Sequence, residues 1–102
     1  MLPSRVPGPT YDLADIQRLV GTGAFNVTGT AMQDAGELGF DRNDIATCIL
    51  GLNACDFYKS MPAVRSAGLH QDVYRTTYLE RRLYVKLQLD TRAVVISFKE
   101  QY

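Results

Sequence analysis

Six side chains able to hold an anion or move a proton crowd the second half of the chain: Lys59, Gln71, Arg75, Tyr84, Lys86 and Lys99. Their spacing suggests one surface. From Leu83 the alternate positions Leu83, Val85, Leu87 and Leu89 are aliphatic, while Tyr84, Lys86, Gln88 and Asp90 are polar or amphipathic. This period of two marks a strand with one buried face. In the next strand Val94, Ile96 and Phe98 are expected on the apolar side, and Val95, Ser97 and Lys99 on the other. An even-numbered connection around Thr91 and Arg92 makes opposed residue numbers add to 183, which sets Tyr84 across from Lys99. A second even turn near Glu80 and Arg81 would bring Gln71, Arg75 and Thr77 to the same face. Like charges side by side repel, so a face with only Asp90 and Glu80 to balance its cations calls for an anionic ligand. Mutual repulsion among such cations makes a lysine easier to deprotonate and should favour the ionised form of Tyr84.

The elements that must carry these groups come in a simple order. Residues 1–10 hold three prolines and a glycine and are expected to form a flexible arm. Thr10 or Asp12 caps a helix running to about Gly21, with Leu13, Ile16, Leu19 and Val20 at helical spacing. Residues 24–27 suit a short edge strand. Thr28 or Thr30 starts a second helix that Gly39 stops, and Asp41 caps a third carrying Ile45, Cys48, Ile49 and Leu52. The stretch DFYKSMPAVRSAGLH has neither helical nor strand period and is expected to be a loop at the sheet rim, where binding residues often sit. Helices first and an antiparallel meander afterwards give an α+β domain, the helices gathered on the aliphatic face and the Tyr84 face left open.

Composition narrows the function. The 102 residues are 46% hydrophobic and 22% charged, which fits one folded domain. Eleven basic and eleven acidic residues cancel, but unevenly: residues 1–58 hold three basic and seven acidic groups, residues 59–102 eight and four. The positive charge therefore collects around the candidate site. No apolar run is long enough for a membrane span, and the N-terminal ten residues lack a secretory core, so a cytoplasmic location is expected. Cys48, Cys55 and the single His70 cannot build a four-ligand zinc site without carboxylates, and neither a metal nor a cofactor is expected. Gly21-Thr22-Gly23 is too short for a phosphate-binding loop. Taken singly, Lys86 and Lys99 read as solubility groups, Tyr84 as a packing residue and His70 as structural; only their conjunction points to chemistry.

The segments LGLNACDFYKSM, QDVYR, LYVKL and VVISFKE, in this order and with these separations, resemble the MqsR family of bacterial toxin-antitoxin systems over about Leu13 to Glu100. The resemblance implies a RelE-like fold: three short N-terminal helices on one face of a C-terminal antiparallel sheet, with residues 11–102 forming a single endoribonuclease domain. It implies an mRNA endoribonuclease that favours GCU-type sites, works without ribosome or metal, and is neutralised by an MqsA-like antitoxin. Operator DNA would be bound only through the antitoxin complex, and no membrane is involved. Carried over by position, Lys59, Gln71, Tyr84 and Lys99 are the expected catalytic residues. Tyr58, Met61 and Arg75 match motif positions and should shape the pocket or contact bases, and Lys86 joins them as a substrate-binding cation. The alternative is a non-catalytic module that binds RNA or an acidic protein with the same face. Cleavage by the neighbouring 2′-hydroxyl requires a proton acceptor, a donor to the leaving 5′-oxygen, and stabilisation of the phosphorane. On this reading Lys59 and Lys99 stabilise charge, Tyr84 is acid or base, and Gln71 orients the ribose or phosphate.

Overall fold

A computed structural model describes residues 8–64 and 68–101, so most of the expected N-terminal arm lies outside the described residues. Three nine-residue helices, α1 (Leu13–Gly21), α2 (Gly29–Glu37) and α3 (Arg42–Leu50), begin at side-chain caps. Asp12 accepts from the amide of Ala14, Thr28 from that of Ala31, and Asp41 and Asp44 form a reciprocal capping box. Each cap satisfies amides that a helix start leaves without partners, typically contributing about 1 kcal/mol. Gly39 holds φ +85° just beyond α2, a backbone state that glycine adopts without steric cost.

Five strands follow or interleave: β1 (Phe25–Val27), β2 (Phe57–Pro62), β3 (His70–Tyr78), β4 (Arg81–Leu89) and β5 (Ala93–Glu100). They form one sheet in the order β1-β5-β4-β3-β2, with β1 parallel to β5 and the other pairs antiparallel. The α+β architecture therefore has its helices in the N-terminal half and nearly all of its sheet in the C-terminal half. All three helices contribute to one core against Tyr74, Leu83, Val85, Leu87, Ala93, Val95 and Phe98. A fully buried Val, Leu, Ile or Phe contributes roughly 1.5–3 kcal/mol, so this apolar layer holds the sheet flat against the helices. Among the described residues no helix is long and apolar enough to cross a membrane.

Three sequence expectations need correction. Within the stretch expected to be a loop, Phe57–Pro62 is the edge strand β2; its alternation is hidden by an irregularity between Phe57 and Lys59 that inserts Tyr58. In β5 the buried residues are Ala93, Val95 and Phe98, whereas Val94 and Ile96 are only partly buried. The connection Asp90–Arg92 has three residues rather than an even number, so Leu89 opposes Ala93. Leu87 opposes Val95 and Lys86 opposes Ser97, which leaves Ile96 as an extra residue that reverses the parity. The bulge offsets the odd loop, and Tyr84 faces Lys99 as expected.

Beyond the edge strand, the chain's first described residues are latched to the sheet. The buried Asp72 carboxylate accepts from the amides of Thr10 at 3.0 Å and Tyr11 at 2.9 Å. The hydroxyls of Thr10 and Ser60 lie 2.6 Å apart, and the Tyr11 hydroxyl donates to the carbonyl of His70.

Candidate active site on the open sheet face

Register assembles the site. The β3–β4 turn is the two-residue pair Leu79 and Glu80, both at positive φ (48° and 67°), so Arg75 stands opposite Tyr84 and Val73 opposite Lys86. Tyr84 then lies between Arg75 on β3 and Lys99 on β5, while Lys59 on β2 opposes Val73. One row thus runs Arg75, Tyr84, Lys99; the next runs Lys59, Val73, Lys86, Ser97. Beyond it, Met61 opposes Gln71, whose side-chain amide donates to the Oε1 of Gln88 at 3.1 Å.

The irregularity in β2 sends Phe57 inward, edge-on to Tyr74 at 5.7 Å between ring centroids, and lays Tyr58 against Arg75. The Arg75 guanidinium carbon is 4.3 Å and the Lys59 Nζ 5.5 Å from the centre of the Tyr58 ring. Around Tyr84 the Nζ of Lys99 lies at 5.2 Å and that of Lys86 at 6.0 Å. Both phenol rings are therefore flanked by two cations, an attraction of ring quadrupole for charge. Val73 is fully buried although it lies on the open face, giving an apolar floor between Lys59 and Lys86. The ion pairs among the described residues are Arg18–Asp15 and Arg81–Glu100, so Lys59, Arg75, Lys86 and Lys99 have no carboxylate partner there.

Proton affinities separate the groups. Burial, followed by the charges of Lys99 and Lys59, pushes the Lys86 ammonium below its ordinary range. Tyr84 moves the other way from the sequence expectation: burial first, then the neighbouring Tyr58, raises its phenol. Partial burial thus strengthens the hold of Tyr84 on its proton, so the phenol is suited to the acid role rather than to tyrosinate.

Two concavities flank the Tyr84 row. One of about 410 Å³ is bordered by Tyr58, Arg75 and Arg82, with Asp56 at its rim. The other, about 330 Å³, is bordered by Gln71, Lys86 and Gln88 together with Ala63, Val64 and Ile96. All eight sequence candidates thus fall on one face: Tyr58, Lys59, Met61, Gln71, Arg75, Tyr84, Lys86 and Lys99. The candidate set overlooked Gln88, although it shares the parity of Lys86, and Ile96, whose outward turn depends on the bulge. His70 begins β3 exposed, one residue out of phase with the face, and its carbonyl serves Tyr11. Cys48 is buried with its thiol pushed up to about 12 by burial, then Asp56, while Cys55 is exposed. No group of three or more His, Cys, Asp or Glu side chains that could hold a metal ion occurs among the described residues.

The face can thus bind a phosphodiester among cations that lack a carboxylate partner among the described residues, donate a proton from a half-buried phenol and accept one at a lysine. Residues 8–100 match the family model described as "Motility quorum-sensing regulator, toxin of MqsA". The mRNA interferase toxin MqsR of Escherichia coli (strain K12) is 34% identical over 93 residues, covering 91% of this chain and 95% of that protein.

Proposed function

The chain belongs to the MqsR toxin family, and from that premise we propose that it is a toxin endoribonuclease, an mRNA interferase, acting on the open sheet face. Its partner is an MqsA-like antitoxin, in keeping with the family description, and operator DNA is bound only through the complex with that antitoxin. The helices on one side of the sheet and the catalytic surface on the other are read as a RelE-like arrangement. Cleavage needs neither metal nor ribosome and falls at short GCU-type sites.

The observation that carries the mechanism is the half-buried Tyr84 phenol lying between the ammonium groups of Lys99 and Lys86, its hold on the proton strengthened by partial burial. The 2′-hydroxyl attacks the adjacent phosphorus and its proton passes to Lys86, the lysine that burial and its cationic neighbours make easier to deprotonate. Lys59 and Lys99 hold the phosphate and stabilise the charge of the phosphorane. Tyr84 gives its proton to the departing 5′-oxygen. Gln71, largely buried, fixes the ribose or base beside the scissile bond, while Tyr58, Met61 and Arg75 border the flanking nucleotides. The products are a 2′,3′-cyclic phosphate and a 5′-hydroxyl.

A short RNA carrying a single 2′-deoxy substitution at the cut position tests this attack. The substituted RNA should bind as before yet remain uncut there; cleavage at the substituted position would overturn the mechanism.

A further inference from the structure

The concavity between Gln71, Gln88 and Ile96 has features that phosphate chemistry does not use. Besides Lys86 and Thr28, its polar groups are two side-chain amides joined by one hydrogen bond, the Nε2 of Gln71 donating to the Oε1 of Gln88 at 3.1 Å. Gln71 is only 8% exposed, so its amide is held in place rather than waving in solvent. That bond leaves one amide oxygen and one amino group without a protein partner among the described residues, both on side chains that line the cavity. Turning both amides over would leave the same pair of free groups, an acceptor beside a donor. The remaining wall is apolar, formed by Ala63, Val64 and Ile96. Thr28 also borders the space, but its hydroxyl is committed, donating to the Ile96 carbonyl and accepting from the Ala31 amide.

An apolar slot with a fixed acceptor–donor edge fits an unstacked nucleobase, whose own edge alternates donors and acceptors and whose faces are apolar. Its position fits too. Lys86 borders the slot and also stands over the Tyr84 ring, so the base would lie immediately beside the reacting phosphate. Gln88 is two residues from Lys86 along β4, roughly 7 Å at the rise of a strand. On the endoribonuclease reading, we infer that Gln88, paired with Gln71, reads one base next to the scissile bond and so sets part of the cleavage sequence, with Ile96 as the packing wall.

The test measures kcat/KM for RNAs that carry each of the four bases, one position at a time, around a single cut site. Wild type, Gln88→Leu, Gln88→Glu and Ile96→Ala are compared, each with a melting curve. At one flanking position Gln88→Leu should lose roughly tenfold of the wild-type discrimination, the scale of one good set of base-edge hydrogen bonds. The loss falls on the preferred base and leaves the other three nearly unchanged. Gln88→Glu, which exchanges the amino group for a second acceptor, should shift preference at that position toward bases presenting donors. Ile96→Ala widens the slot without touching the amides and should change the purine-to-pyrimidine ratio at the same position; it decides the matter if the Gln88 variants fail to fold. Unchanged preference at every position in folded variants, or an equal loss on all sequences, overturns the base-reading role while leaving the nuclease intact. A wild-type protein that cuts none of the RNAs instead overturns the endoribonuclease reading on which the inference rests.

Discussion

Tyr84→Phe removes one oxygen atom and leaves its surroundings in place. The ring still lies between the Nζ of Lys99 and that of Lys86, at 5.2 and 6.0 Å, so phosphate binding should change little. What disappears is the proton for the leaving 5′-oxygen. General acid catalysis of this kind is worth about 10²–10⁴ in rate, or about 2.7–5.4 kcal/mol of barrier. Stability should move by no more than about 0.5 kcal/mol, the range for a surface change that breaks no structural contact, since no hydrogen bond accounts for the raised phenol. Single-turnover cleavage of a short RNA, followed beside a thermal melt, separates the two effects. A second substrate with sulfur in place of the bridging 5′-oxygen departs as a thiolate and needs no acid; on it the variant should approach wild type. A loss under about fivefold, or equal losses on both substrates, would refute the assignment of Tyr84 as acid.

The remaining expectations concern pH and stability. With neutral Lys86 as acceptor and neutral Tyr84 as donor, kcat should rise with pH through a pKa below 10.5 and fall through one above 10.0. Lys86→Arg should abolish the rising limb, and a wild-type profile that is flat from pH 6 to 10 would count against the pairing. The Tyr74 hydroxyl is buried with no hydrogen-bond partner among the described residues, and burial, then Asp72 and Asp12, raises it to about 12. Tyr74→Phe keeps the edge contact with Phe57 and removes that orphan, so it should stabilise by about 1–3 kcal/mol in urea unfolding. The sign of the pH effect follows: the folded state resists ionisation of this phenol, so its contribution is constant below the unfolded value of 10.0 and stability falls as pH climbs toward 12. The variant should therefore lose less stability than wild type between those values. Replacing Leu79-Glu80, both at positive φ, with Asn-Gly should add about 1–2 kcal/mol, since those residues accept this turn without strain; no gain in urea midpoint would show that the turn is unstrained.

Much of this site could be read from the sequence because strand parity is a strict rule. A two-residue turn at Leu79-Glu80 is enough to put Gln71, Arg75 and Tyr84 on one face, although neither residue is a usual turn former. The Tyr84–Lys99 pairing came out correctly for a partly wrong reason: the odd loop at Asp90–Arg92 and the extra residue Ile96 each shift the register by one and cancel. The same cancellation hid the burial of Val95 and the outward turn of Ile96, because a bulge leaves no mark in the alternation of a run as uniformly apolar as Ala93–Ile96. β2 escaped notice since the inserted Tyr58 and the terminal Pro62 break its period, and pairing with β3 supplies what the local pattern lacks. The ionisation of Tyr84 could not be judged without coordinates. Neighbouring cations are visible in a sequence, whereas the partial burial that raises the phenol is a property of packing.

The central claim is that this sheet face cuts RNA with its own side chains. Incubation of the purified chain with ribosome-free mRNA in excess EDTA tests it most directly, with the chemistry of the new ends identified. Fragments carrying 5′-hydroxyl and 2′,3′-cyclic phosphate ends are expected; intact RNA, or fragments carrying 5′-phosphates, would contradict it.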